Sequence, residues 1–155
     1  MMGAIAFGRT TMTVAAILRH KGFEVCAVKP TTKISEVARL LTDRRIGAVL
    51  VQDAVDKLLG IVSERDIIHA LAGSGADALD MTAGQIMTRA LKTITPQTTV
   101  PQAMEIMTAS RIRHLPVLDA GHLVGIISIG DVVKARIMQQ EHEVDELRAY
   151  VAGSA

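Results

Sequence analysis

Gly60-Ile61-Val62-Ser63-Glu64-Arg65-Asp66-Ile67 and Gly125-Ile126-Ile127-Ser128-Ile129-Gly130-Asp131-Val132 state one pattern twice in this chain. Each is a short β-branched run that breaks into Ser-x-x-Asp, the signature of a strand passing into a capped helix. A repeat this local indicates a duplicated supersecondary unit, and with it a duplicated site.

Working outward, aligning Pro30 with Pro96 keeps the copies in register, with a one-residue adjustment between Val51 and Gly60. Ile34, Val37, Ala38, Leu40 and Leu41 recur at helical spacing in the first copy, as do Val100, Ala103, Met104, Ile106 and Met107 in the second. Thr99-x-x-Gln102 is a capping-box pattern, and Pro101 falls in the first turn, where its missing N–H costs little. Two short apolar runs follow each helix: Ala48 to Val51 and Leu59 to Val62, then Leu115 to Leu118 and Leu123 to Ile127. Asp119-Ala120-Gly121 is a tight connection between the last two. Further helices are expected from about Glu64 to Ala72 and from Asp131 onward, and further strands at Glu24 to Val28 and Leu91 to Ile94. Each copy therefore reads β-α-β-β-α, introduced by short helices at Val14 to Lys21 and Thr82 to Met87. The expected divisions are 13–72, a linker at 73–81, 82–138, and a helical extension at 139–155.

The chain has 155 residues, enough for one compact domain or two halves sharing a core. A net charge of +1 gives no global reason to expect nucleic acid or an acidic partner. A single cysteine, Cys26, cannot form an intramolecular disulfide, which fits a reducing compartment. No apolar run approaches the ~20 residues that span a bilayer, so a cytoplasmic location is expected. Against it stands an opening stretch with Arg9, Arg19 and Lys21 but no acid before Glu24, a faint transit-peptide character.

Thr-x-x-Ile/Val before the first helix of each copy, the run Ile112-Arg113-His114-Leu115-Pro116-Val117 and the doubled Gly-Ile-Val/Ile-Ser-x-x-Asp together resemble a tandem pair of cystathionine-β-synthase-type (CBS) domains, a Bateman module. The resemblance runs from about Thr13 to Met138 and is closest to stand-alone CBS-pair proteins. It implies an α/β (α+β) fold in which two β-α-β-β-α repeats pack as a pseudo-two-fold intramolecular pair. It also implies regulation by an adenine nucleotide held in a cleft between the copies, with no catalysis.

The residues themselves allow two readings of Ser-x-x-Asp. Ser63 and Ser128 can accept N–H bonds from the first helical turn, while Asp66 and Asp131 favour its positive end. A carboxylate at a strand-to-helix turn can also accept from both hydroxyls of a ribose, with the serine supplying another contact. Capping and binding are compatible. By resemblance, Thr32, Lys33 and Ala48 surround one base pocket, and Thr98, Thr99 and Pro116 the other. Phosphate recognition needs cations or helix N-termini. Arg113 and His114 match positions that face phosphates in related pairs, and Arg65 is a further candidate; ordinary solvated surface is the alternative. Gly47 and Ala48 stand where the second copy has Arg113 and His114, and Ile129 and Gly130 where the first has Glu64 and Arg65. The two sites should therefore handle phosphate differently, suiting AMP in one and a larger adenine dinucleotide such as NAD in the other, within an expected ligand class of AMP, ATP or NAD(H).

His20, His69, His122 and His142 show no metal-site spacing, and Gly73-x-Gly75 completes no dinucleotide fingerprint. No nucleophile–base arrangement suggests an enzyme or a catalytic cofactor. From Asp131 to Val151 the chain lacks Gly and Pro, and Ile137, Val144, Leu147 and Val151 form an apolar stripe that needs cover. A homodimer would supply it, as would packing on the protein's own N-terminal helix. The expected function is a regulatory adenine-nucleotide sensor, whose state an unidentified effector protein reads. The alternatives are a partner-binding scaffold without ligand and a nucleic-acid module using Arg44, Arg45, Arg111 and Arg113.

Overall fold

In the computed structural model, which describes residues 11–89 and 92–153, both Ser-x-x-Asp motifs sit where an antiparallel strand pair passes into a helix. In order, the elements are α1 (Val14–Lys21), β1 (Ala27–Val28), α2 (Ile34–Arg44), β2 (Ala48–Gln52), β3 (Leu58–Ser63) and α3 (Glu64–Ser74). A 3₁₀ helix (Gly75–Asp80) leads to α4 (Ala83–Ile86), α5 (Val100–Ser110), β4 (His114–Asp119), β5 (His122–Ser128) and α6 (Ile129–Gly153). This is the expected α+β class.

Two compact units divide the chain, one of residues 24–93 and the other of 1–23 with 94–155. The units are cut differently from the sequence repeats. The helix that introduces each copy packs with the strands of the other copy, so α4 lies against β3 and α1 against β5.

In unit 24–93 the sheet order is β1-β2-β3, with β1 parallel and β3 antiparallel to β2. The strand expected from Glu24 shortens to Ala27–Val28, because it pairs on one edge only and begins ladder bonding with Leu50 N donating to Cys26 O at 3.0 Å. Ile34, Val37, Leu41, Val49, Val51 and Val62 are buried in one core, where the inward stripe of α2 meets the sheet. The stretch 73–80, expected as linker together with Met81, is helical, finishing α3 and forming the 3₁₀ helix.

In the other unit β4 and β5 form a hairpin. The strand expected at Leu91 to Ile94 begins outside the described residues, and Ile94 contributes a parallel bridge to Val117. Leu18, Val100, Met107, Leu115, Val117, Ile127 and Val132 share this unit's core. Ala120 and Gly121, the two residues between the strands, both have positive φ, 51° and 81°, as a type I′ hairpin turn requires.

The copies also share their helix ends. Arg45 and Arg111 close α2 and α5 in the left-handed conformation, at φ 55° and 53°. Thr99 and Gln102 form the expected capping box on α5, and Thr82 with Gln85 forms another on α4. Among the described residues, no helix is long and apolar enough to cross a membrane.

Candidate functional site

Ladder register builds the site from the strands upward. Ala48 pairs with Ser63 across β2 and β3, and His114 pairs with Ser128 across β4 and β5. The following backbone bond is repeated as well: Glu64 N donates to Gly47 O at 2.9 Å, and Ile129 N to Arg113 O at 2.8 Å. Each helix therefore starts from the end of its own hairpin, with the Ser-x-x-Asp turn at the corner.

Both corners are capped. Asp66 N donates to Ser63 Oγ at 3.2 Å, and Asp66 Oδ2 accepts from Ser63 N at 2.8 Å and from Ser63 Oγ at 2.9 Å. Asp131 N donates to Ser128 Oγ at 3.1 Å, and Asp131 Oδ2 accepts from Ser128 N at 2.8 Å. All four side chains are half-buried. The cap turns Oδ2 of each carboxylate towards the backbone; Oδ1 has a weak contact from Thr88 Oγ1 at 3.5 Å in Asp66 and, among the described residues, no hydrogen bond in Asp131.

The carboxylates differ in their third partner. Lys21, the last residue of α1, places Nζ 2.6 Å from Asp131 Oδ2 and 2.8 Å from Ile126 O. Burial by itself pushes the Asp131 carboxyl up, but the Lys21 hydrogen bond, the Ser128 bonds and the Lys21 charge outweigh it, and its pKa falls below the usual value. Asp66 has instead the Thr88 hydroxyl, 3.5 Å from its other oxygen, Oδ1. Neither Lys21 nor Thr88 was singled out from the sequence as a site residue. Lys21 is 110 positions from its partner and Thr88 is 22, so no local pattern could reveal them.

Two glycines make this arrangement possible. A Cβ on Gly60 would lie 2.7 Å from Met87 Sδ and 2.8 Å from Thr88 O, and one on Gly125 would lie 2.7 Å from Leu18 Cδ2. Close approach at the first positions Thr88 over Asp66, and at the second brings the α1 end, with Lys21, over β5.

The remaining expected residues are distributed around these corners. Arg65 is exposed on the first turn of α3, Arg113 is exposed beside the α6 start, and His114 is half-buried next to Ser128. Pro116 is buried in β4 opposite Ile126, where its carbonyl accepts from Ile94 N at 3.1 Å. Thr32, Lys33, Thr98 and Thr99 lie instead where paired helix N-termini meet. Lys33 bridges Thr82, and Ala83 N donates to Thr32 O at 2.7 Å; Thr99 bridges Thr13, and Val14 N donates to Thr98 O at 2.8 Å. Those two carbonyls are therefore already bonded within the backbone. Thr32 also lines a groove of about 470 Å³ with Lys29, Glu36, Arg39 and Gln52.

A family model described as "CBS domain" matches residues 14–73 and again 83–138. A CBS-domain containing protein of Agrobacterium tumefaciens has a similar crystal structure, with a TM-score of 0.80 and 45% identity over 83% of this chain and 96% of that one. The mitochondrial CBS domain-containing protein CBSX3 of Arabidopsis thaliana is 32% identical over 94% of this chain and 75% of its own length. A structure of CBSX2 in complex with AMP has a TM-score of 0.69 at 27% identity, covering 83% of this chain and 98% of that one.

Proposed function

This chain belongs to the CBS-domain family, with two CBS domains in tandem, and on that premise we propose that it is a regulatory adenine-nucleotide sensor, without turnover of its own. The observation that carries the reading is the repeated Ser-x-x-Asp corner, which presents a half-buried carboxylate at a helix N-terminus in each unit. Such a corner suits a ribose, whose two hydroxyls donate to one carboxylate. The AMP complex of the similar CBSX2 structure supports the ligand class.

Ser63 with Asp66, and Ser128 with Asp131, take the ribose roles. Arg65 in one corner and Arg113 with His114 in the other take phosphate, aided by the positive helix ends. Thr32, Lys33 and Ala48, and Thr98, Thr99 and Pro116, contribute the base surroundings. The Lys21 ion pair belongs to the Asp131 corner alone, so the sites are unequal, with AMP suited to one and ATP or NAD(H) to the other. Binding shifts the balance between two conformations of a homodimer, which an effector protein reads.

Calorimetric titration with AMP, ATP and NAD tests this. Asp66→Asn and Asp131→Asn keep most of each cap but remove the charge that ribose hydroxyls bond. Each should weaken binding at its own site by about tenfold or more, the equivalent of one charged hydrogen bond. A wild-type protein that binds none of the three nucleotides overturns the reading. The full engagement of both Oδ2 atoms in caps favours a second reading, a ligand-free scaffold. On that reading the same substitutions change stability slightly and binding not at all.

A further inference from the structure

Helix α6 runs for 25 residues, about 38 Å at 1.5 Å per residue, and presents opposite faces to different surroundings. Val132 and Ala135 are buried against their own unit. On the other side Val133, Ile137, Gln140, Val144, Leu147 and Val151 follow one another at alternating steps of four and three. That spacing is a heptad seam with Ile137, Val144 and Val151 at a and Val133, Gln140 and Leu147 at d. Its apolar members are 42% to 60% exposed. At its start, Ile129, Val133, Ile137 and Met138 line an open apolar groove of about 410 Å³.

The charges beside the seam identify the occupant. In the same heptads Arg136 and Glu143 take g positions, and Lys134, Glu141 and Arg148 take e positions. A parallel, in-register pair of helices sets each g beside the e five residues on in its twin. Arg136 then meets Glu141 of the second copy, and Glu143 meets Arg148, each twice by symmetry. Full antiparallel overlap sets Glu141 against Glu141, Glu143 against Glu143 and Lys134 against Arg148, so that every pairing of two charges is repulsive. Along α6 itself none of these five has an oppositely charged residue four positions away. The His142–Glu146 contact at 2.8 Å lies away from the seam, at f and c.

We infer that α6 pairs with α6 of a second copy as a parallel, in-register, two-stranded coiled coil. The inference rests on the homodimer reading above and adds the surface, the orientation and the register. Gln140 meets its twin at a central d layer, where a polar pair penalises shifted registers. Joining the two chains along α6 also ties the Asp131 corner, which opens the same helix, to the dimer state.

Sedimentation equilibrium on the full chain tests it. Glu143→Arg and Arg148→Glu, each alone, should weaken the dimer about tenfold by turning two attractive contacts repulsive, and the two together should restore it. The exposed pair Val144→Glu with Leu147→Glu should abolish the dimer while circular dichroism keeps the fold signal. Leu147→Cys with Cys26→Ser should form an interchain disulfide on mild oxidation, because d positions face their twins in a parallel pair. A dimer that ignores the seam substitutions and fails to cross-link overturns the coiled coil and leaves the dimer reading standing. A wild-type monomer at tens of micromolar overturns both.

Discussion

Gly60→Ala, measured beside Gly125→Ala, probes whether close approach at matched glycines builds the two corners. At Gly60 the new methyl meets Thr88 O at 2.8 Å as well as the Met87 side chain. That carbonyl accepts from Ile61 N at 3.1 Å, while Thr88 N donates to Ile61 O at 2.9 Å, so it cannot retreat without loosening a backbone bridge. Overpacking costs about 1–3 kcal/mol, and the loosened bridge adds about 1 kcal/mol. The stiffer unfolded chain returns about 0.4–1 kcal/mol, leaving a net loss of about 1–4 kcal/mol, centred a little above 2. At Gly125 the obstacle is the end of Leu18, a flexible side chain held in a packed core. Rotation relieves part of that clash, so the net loss should be about 1 kcal/mol. Urea denaturation read from midpoint shifts at constant m-value gives both numbers. Because Thr88 leans on Asp66, Gly60→Ala should also weaken nucleotide binding at that corner alone. Equal costs at the two glycines, or no cost at Gly60, would refute the claim that a backbone carbonyl limits the first approach.

Lys21→Met should lower stability by about 1 kcal/mol near neutral pH, with less effect in high salt, because the ion pair is partly exposed. Its pH dependence has a definite sign. The Asp131 carboxyl is held below its usual value, so its contribution is present above that value and disappears as pH falls through the lower, folded one. Wild-type and variant stability curves measured by denaturation should therefore converge on acidification; parallel curves would argue against the ion pair. Ala120→Asn places the favoured Asn-Gly pair in a turn whose residues both have positive φ, and should raise the thermal midpoint by an amount equivalent to about 0.5–1 kcal/mol. A fall would mean that the turn is not limited by the alanine.

Much of the fold was legible because its cues are local. Thr99-x-x-Gln102 marks a helix start through bonds within one turn, and the capping box is there. The runs at Ala48 and Leu115 become strands β2 and β4 because a short continuous apolar run suits a strand covered on both faces, and successive residues of each are buried. The strand expected over Glu24 to Val28 is shorter in the structure: a strand's length depends on how much partner edge it finds, and β2 offers little. The aspartates of the site were equally visible, since Ser-x-x-Asp is itself a short-range motif. The base-pocket threonines were placed by resemblance, and Thr32 and Thr98 bring backbone carbonyls that are already bonded to the opposing helix starts.

The amino-acid order by itself determined that one helix-strand-strand-helix unit occurs twice, that each copy turns at a serine and an aspartate, and that the final helix carries an exposed apolar stripe. All of these depend on periodicities and contacts within a few residues. Only the tertiary structure decided that α1 serves the second copy's strands and α4 the first's, and that Lys21 rather than a neighbour neutralises Asp131. Packing brings together residues separated by more than a hundred positions, and no pattern along the chain records which of many helix ends will arrive over a given strand.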